Sequence, residues 1–449
     1  MLLYSSIKEL DYSKLQKDIL SYLPQLRGGF AFVLDNKDSY ILARDPLGLE
    51  PLYYTINSNQ LYFSDDILEL FEISKRVKEP NIDSMKSLLE CQAVGFEDTM
   101  FKGIYRVPAG SILYISKRDK KKHIERFWFP EKIEIDYKIT PKEASAKIRE
   151  LLLKSINRCV KDKRECAFEL SGGLDSSSIV SLYAKSYGRE GIDTYSMSFG
   201  NLSCDESRYI KSVVDKYLLN HKYIPANGLD YKDRYSLKNL YTLSPDWPII
   251  YSFAISLPMI EQIAKDGKRV IVTGQGGDHL FTGAPEMLSD LIRRGEFLEL
   301  LKELKYYNRP LKGLLHYGIK PLINPKALRV INRLRGVKDT NLCSHLELEF
   351  LNRIKSVAKR LDLASITTAH HTTNLDSNLF HCIKRAYNIE FCHPFFDLDL
   401  VEFVLSLPSS MNFKEANIKW ILREAMKGIL PEIVRTRDDK AEFSPIFKE

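Results

Sequence analysis

Two glycine-rich turns, each carrying an aspartate, are the residues in this chain best suited to chemistry. The first is Ser171-Gly172-Gly173-Leu174-Asp175-Ser176-Ser177-Ser178. It follows the short apolar run Cys166-Ala167-Phe168 and leads into Ile179, Val180 and Leu182 at helical spacing. A strand, a glycine turn and hydroxyls at a helix start make a place to hold phosphate. Glycine lets the backbone approach closely, and the unpaired N–H groups of the helix N-terminus point at the anion. Ser171, Gly172, Gly173, Ser176 and Ser177 would form that cradle. No Lys follows the glycines, as it would in a Walker loop, and Asp175 sits where the phosphates would lie. A carboxylate beside a polyphosphate requires a divalent cation between them. An ordinary Gly/Ser-rich turn is the competing reading, and the length of the SGGLDSS pattern weighs against it.

The second turn, Thr273-Gly274-Gln275-Gly276-Gly277-Asp278, follows the apolar run Val270-Ile271-Val272. Two carboxylates, Asp175 and Asp278, brought from separate strand ends onto phosphates would hold Mg2+. Alternatively Asp278 simply caps the helix opening at His279-Leu280-Phe281.

The surrounding elements must place both turns at one edge. Thr140-Pro141-Lys142-Glu143 is a capping box with Pro at the first helical position, and Ile148, Leu151, Leu152 and Ile156 continue a helix. Strands expected at 166–168, 194–199 and 270–272 alternate with helices, including one whose face carries Tyr209, Ile210, Val213, Val214 and Tyr217. That alternation predicts a doubly wound parallel sheet, with ligands beyond the carboxyl ends of its strands. Residues 1 to about 130 read instead as β-rich, with strands at 30–34, 40–43, 52–54 and 60–64, and a polar boundary near 132–138. Residues 285–449 read as mostly amphipathic helix; the basic stretch 286–350 carries no motif.

The 449 residues, 44% hydrophobic, are enough for two cores, and a net charge of +7 suits anionic ligands. Arg118-Asp119-Lys120-Lys121-Lys122 reads as the tip of a solvated hairpin, so no nucleic-acid partner is expected. The seven cysteines (91, 159, 166, 204, 343, 382 and 392) form no CxxC pair and read as reduced core thiols of a cytoplasmic protein. Neither a membrane-spanning run nor a signal peptide is expected, and no membrane partner.

SGGLDSS resembles the pyrophosphate-binding loop of the enzymes that cleave ATP between its α and β phosphates. The wider chain resembles the asparagine synthetase superfamily, which includes asparagine synthetases, β-lactam synthetases and the lasso-peptide macrolactam cyclases. The resemblance implies an α/β chain of two domains. Residues 1–130 would be a truncated, Ntn-hydrolase-like αββα domain of the glutamine amidotransferase kind, matched by Leu26-Arg27-Gly28-Gly29-Phe30-Ala31-Phe32, Ala43-Arg44-Asp45-Pro46-Leu47-Gly48 and Pro51-Leu52-Tyr53-Tyr54. Residues 139–449 would be an adenylating domain of the adenine nucleotide alpha hydrolase-like fold with a helical C-terminal part. It further implies that ATP and Mg2+ are used, that Asp175 and Asp278 bind the metal, and that Leu170, Met197 and Gly274 frame the adenosine. The tail from Trp420-Ile421-Leu422-Arg423-Glu424-Ala425 to Arg435, Arg437 and Lys440 resembles a segment whose Lys meets the α-phosphate, which assigns that role to Lys440 and a secondary one to Arg437. Glu390, in Tyr387-Asn388-Ile389-Glu390-Phe391-Cys392-His393-Pro394-Phe395, resembles a stretch lining the same pocket.

Two departures from the superfamily pattern narrow the expected activity. Amidotransferases of this kind use an N-terminal Cys as nucleophile, whereas Met1 is followed here by Leu2, and the segments that hold glutamine are not found before Leu26. The first domain is therefore expected to be an inactive scaffold or docking surface. In asparagine synthetases the second turn has Glu between its first two glycines; this chain has Gln275, a neutral amide that orients a carbonyl or amine without acting as a general base. With His279 after Asp278, the turn most resembles the lasso-peptide cyclases. The activity expected is ATP-dependent macrolactam synthesis: adenylation of a peptide Asp or Glu side chain, then ring closure by the peptide's own N-terminal amine. A precursor peptide, a leader-binding protein and a leader peptidase are the implied partners. An ammonia-dependent asparagine synthetase or other amide ligase is one alternative, a catalytically silent peptide-binding homologue another.

Overall fold

In a computed structural model, residues 2–5, 11–89, 95–226, 246, 251–323, 354, 356, 358–363, 380–439 and 441 are described. The first domain is built on two antiparallel sheets. Strands β1 (Leu2–Ser5), β2 (Phe30–Asp35), β3 (Ser39–Arg44), β7 (Ser111–Ser116) and β8 (Lys122–Arg126) form one. Strands β4 (Tyr53–Asn57), β5 (Gln60–Ser64) and β6 (Tyr105–Arg106) form the other. Short helices α1 (Tyr12–Lys17), α2 (Ile19–Tyr22), α3 (Ile67–Ser74) and α4 (Ile82–Leu89) accompany them. The basic run at 118–122 does turn the β7–β8 hairpin, as its composition predicts.

The second domain opens with α5 (Pro141–Cys159), whose Thr140 and Glu143 form both bonds of the expected capping box. Five strands then form one wholly parallel sheet in the order β11 (Asn220–Pro225), β10 (Asp193–Ser198), β9 (Cys166–Glu169), β12 (Val270–Val272), β13 (Glu390–Cys392). Helices α6 (Leu174–Tyr187), α7 (Ser207–Tyr217) and α8 (Tyr251–Lys265) connect the strands, and α9 (Gly277–Phe281) follows β12. The short strands β11 and β13 were not anticipated. β11 is polar, and β13 is only three residues before a proline, so neither shows a strand period. Beyond them lie helices α10 (Met287–Arg294), α11 (Phe297–Leu304), α12 (Leu398–Ser406) and α13 (Trp420–Ala425).

Each domain has buried clusters of its own, and one further cluster is shared between them. One buried cluster runs from Leu23, Phe30 and Trp128 through Leu152 and Phe168 to Phe395, Leu422 and Val434. Polar contacts reinforce the junction. Arg27 meets Asp399 at 2.5 Å and Trp128 Nε1 donates to Glu402 at 3.0 Å. Asp246, 1% exposed, reaches into the first domain, where its carboxylate accepts from Met100 N and pairs with Arg106 at 2.9 Å.

One expectation is overturned. Cys159 at the end of α5 and Cys392 at the end of β13 form a disulfide, their Cα atoms 5.7 Å apart, so these two are not reduced core thiols. Their sequence separation of 233 hid the pairing from sequence spacing. Cys166, Cys204 and Cys382 are buried thiols, as expected; Cys91 and Cys343 lie outside the described residues.

Candidate active site

The two glycine turns meet at the carboxyl ends of adjacent strands β9 and β12, and they interlock through missing side chains. A Cβ on Gly274 would lie 2.5 Å from the backbone N of Ser176, and one on Gly277 would lie 2.5 Å from Asp175 Oδ1. Gly172, at φ +78°, makes the left-handed turn that only glycine takes without strain. Helix α6 begins at Leu174 with Gly173 as N-cap and no side-chain cap, so the N–H groups of its first turn face the site. Ser176 Oγ accepts from Ser171 N at 3.1 Å and lies 3.0 Å from Ser171 Oγ, which ties the hydroxyls of the cradle together. Ser177 differs from the expectation of a ligand hydroxyl: it is fully buried, its Oγ without a hydrogen-bond partner among the described residues.

Asp175 and Asp278 converge as predicted, and the group that joins them was missed. Lys419 Nζ lies 2.6 Å from Asp175 Oδ2 and 2.6 Å from Asp278 Oδ1. Lys419 itself is 6% exposed and sits at φ +57° just before α13. Burial works against its charge, but the two carboxylates outweigh that and hold its pKa above the ordinary lysine value. The two aspartates therefore share a cation at hydrogen-bonding distance. Hard carboxylate oxygens facing one positive charge are also what Mg2+ requires, so the donor set fits that ion. The sequence signal for Lys419 is its place directly before the Trp420-Ile421-Leu422-Arg423 run, whose resemblance points to Lys440 and Arg437.

Arg437 is docked on the first turn. Its guanidinium pairs with Glu206, lies 2.7 Å from Asp439 Oδ1, donates to the Gly172 carbonyl at 3.2 Å and stacks 4.0 Å over the Tyr209 ring. Burial opposes that charge and Glu206 and Asp439 more than restore it. Its Nε and Nη1 thus hold the C-terminal tail on the phosphate loop. Lys440 lies outside the described residues.

Gln275 is fixed through its backbone. Its N–H donates to Thr273 Oγ1 at 3.2 Å, and Thr273 Oγ1 lies 2.8 Å from Nδ1 of His393 at the end of β13. Burial pushes His393 down to about 4, so it is neutral, and Thr273 Oγ1 shares a hydrogen bond with its Nδ1 while accepting from Gln275 N. Leu170 is fully buried, leaving only its backbone at the strand end, where its N–H donates to the Tyr195 carbonyl at 2.9 Å. Met197 is half-buried near the end of β10. Glu390 is placed apart: it is the first residue of β13, paired with Val270 at the opposite end of the sheet from Thr273, and it lines a cavity of about 850 Å³ that also contacts Gly29 and Glu50 of the first domain.

A parallel sheet with an uncapped helix N-terminus, paired aspartates and a bridging lysine at its carboxyl edge is an α/β architecture suited to binding phosphate. Comparison with known proteins makes this specific. Residues 147–449 match the family described as asparagine synthase, and residues 15–128 match the glutamine amidotransferase domain. The chain belongs to the asparagine synthase family, whose members are ATP-dependent amide-bond-forming ligases. It is 24% identical to asparagine synthetase [glutamine-hydrolyzing] 1 of Bacillus subtilis over 92% of this chain and 67% of that protein. It is 25% identical to amidase chry2 of Gibberella zeae over 95% and 71%. It is also 23% identical to carboxyethyl-arginine beta-lactam-synthase of Streptomyces clavuligerus over 90% and 62%.

Proposed function

We propose that this protein is an ATP-dependent lasso-peptide macrolactam synthetase. In the first half-reaction a peptide Asp or Glu carboxylate attacks the α-phosphorus of ATP. Pyrophosphate leaves into the cradle of Ser171, Gly172, Gly173 and Ser176, and an acyl-adenylate remains. In the second, the N-terminal amine of the same peptide attacks the acyl carbon, forming the isopeptide bond and releasing AMP. Because amine and acyl group belong to one molecule, the second step has the advantage of proximity. Mg2+, held by Asp175 and Asp278, would offset the phosphate charge. Lys419 orients both carboxylates, Arg437 holds the tail against the loop, and Lys440 at the α-phosphate would stabilise the charge that develops on oxygen.

The observation that carries this reading is Gln275, a neutral amide held by Thr273 in the turn that also supplies Asp278. The phosphate-handling residues are kept, while this turn position offers no base. A relative named for β-lactam synthesis supports it, since a β-lactam is a cyclic amide. The first domain would serve as scaffold or docking surface for the partners this function implies: a precursor peptide, a leader-binding protein and a leader peptidase. The test is product analysis with ATP and Mg2+. An acidic peptide with a free N-terminus should yield AMP, pyrophosphate and a product lighter by one water. ADP formation, or amidation of free aspartate by ammonia with no reaction on any peptide, would return the protein to the simpler amide ligases of its family.

A further inference from the structure

Glu169 is the last residue of the central strand β9, immediately below the phosphate loop. Its neighbours Phe168 and Leu170 pack into the large core on one side of the sheet. Ala167, two residues back, packs with Tyr195 and Ile271 on the other side, and strand alternation puts Glu169 there too. The register places Tyr195 beside Glu169 on β10. On the other flank Val272 pairs with Phe168 and with Cys392, so one residue further on Glu169, Thr273 and His393 form a single row across three strand ends. Neighbouring strands in such a row are about 4.8 Å apart. Met197 follows Tyr195 by two residues on the same face. Glu169 therefore lies between the expected adenosine frame and the turn carrying Gln275.

The Glu169 carboxylate makes no hydrogen bond or ion pair among the described residues, and burial alone pushes its pKa up to about 7. The ionisable groups of the elements packed on this face are otherwise engaged. Tyr195 donates to Asp266, which also pairs with Lys222; Tyr387 donates to Glu261 of α8; His393 Nδ1 is hydrogen-bonded to Thr273 Oγ1. The rest of α8 presents Leu257, Ile260 and Ile263. A half-buried carboxylate costs stability when nothing pairs with it, and one kept at the rim of a nucleotide site points to a task there.

We propose that Glu169 is the general base of the amide-forming step, a role that the neutral Gln275 cannot fill. The step rests on the ligase reading above. The amine nitrogen uses its lone pair to form the C–N bond, giving a tetrahedral adduct with a cationic nitrogen and an oxyanion. Glu169 takes one N–H proton, becoming a neutral carboxylic acid. The oxyanion then reforms the carbonyl, and the C–O bond to AMP breaks with its electron pair leaving on AMP. The proton on Glu169 passes to water.

The test compares the full-length protein with Glu169→Gln and Glu169→Asp, using synthetic peptides with an N-terminal Gly and one internal Asp or Glu. Two rates are read separately: peptide-dependent exchange of pyrophosphate into ATP, which reports adenylation, and ring closure. Glu169→Gln should keep exchange within about twofold while ring closure falls about 100-fold or more, the usual worth of a general base. Wild-type ring closure should rise with pH through the range near 7. The Gln variant should lose that inflection and keep only the one due to the amine, and Glu169→Asp should restore part of the rate. Ring closure by the Gln variant at the wild-type rate and with the wild-type pH profile overturns the proposal. So does an equal loss of exchange and closure, which would make Glu169 a nucleotide or fold residue. Absence of exchange with every peptide in the wild type would instead sink the macrolactam reading, and this assignment with it.

Discussion

Gly277 lies so close to Asp175 that a methyl group in place of its hydrogen would meet the carboxylate at 2.5 Å. The second glycine turn is thus the floor on which the aspartate of the first one rests. Gly277→Ala should push the Asp175 side chain off its partner Lys419. ATP-dependent turnover should fall steeply, while stability drops by about 1–3 kcal/mol, because the atoms met run from Cβ to Oδ1 of the Asp175 side chain and include none of its backbone. Gly274→Ala meets the backbone of Ser176 at the same distance and has no such escape. It should show the larger drop in thermal midpoint. A Gly277→Ala enzyme with full activity would separate Asp175 from the chemistry.

Lys419 is the second place where one change should reveal the site without an activity assay. Removing it as Lys419→Met leaves Asp175 and Asp278 with no shared cation; because Asp278 is half exposed, the cost should be about 1–3 kcal/mol, the worth of hydrogen bonds to charged groups. Added Mg2+ should raise the melting temperature of the variant more than that of the wild type, because the ion takes over the compensation. The raised pKa of Lys419 means its contribution is complete at neutral pH, below the unfolded lysine value, and is lost only as pH rises through the folded value. Identical Mg2+ responses of the two proteins would mean that the aspartates do not bind the ion.

Asp175→Asn should abolish formation of AMP and leave the circular dichroism spectrum unchanged. The amide keeps the shape and a hydrogen bond to Lys419 but removes the charge that metal and ammonium both require. AMP production near the wild-type rate would exclude Asp175 from the site.

Much of this was legible in the sequence, and the omissions have physical causes. SGGLDSS and GQGGD each lie within a few consecutive residues, so their strand, turn and helix start could be read locally, and both fell at the predicted strand ends. The capping box at Thr140 and Glu143 was equally local. Lys419 was not, because a lysine before a helix is ordinary until folding brings it across more than two hundred residues to Asp175. The Cys159–Cys392 bond is the same kind of omission, since a pairing over that separation leaves no spacing pattern. Glu390 shows the converse. Its motif predicted a shared pocket, but β13 is parallel to β12 and the two ends of a three-residue strand face opposite edges of the sheet.

The disulfide itself can be checked by peptide mapping. Digestion without reductant should yield a Cys159 peptide joined to a Cys392 peptide, and reductant should separate them. Cys159→Ser should lower stability by about 2–4 kcal/mol, because the bond closes a long loop in the unfolded chain. It should also loosen the second glycine turn, since Cys392 directly precedes His393, the partner of Thr273. Two free peptides in the native digest would restore the reduced-thiol expectation.

Acid should weaken the domain junction, where Asp399 accepts from Arg27, Arg158 and Lys154. Burial alone would raise its pKa, and those three cations more than reverse that, holding it well below the usual carboxylate range. A depressed carboxylate stabilises the fold above its unfolded pKa, about 3.9, and that contribution is lost as pH falls toward the folded value. Asp399→Asn should therefore cost about 1–3 kcal/mol at neutral pH, the worth of hydrogen bonds to charged groups. It should also make the stability of the protein less dependent on pH below about 4, where the wild type is losing what the variant already lacks. The measurement is denaturant unfolding of both proteins from neutral pH down into that acid range. Parallel curves at every pH would show that the junction is held by its apolar core and that the cluster around Asp399 adds nothing.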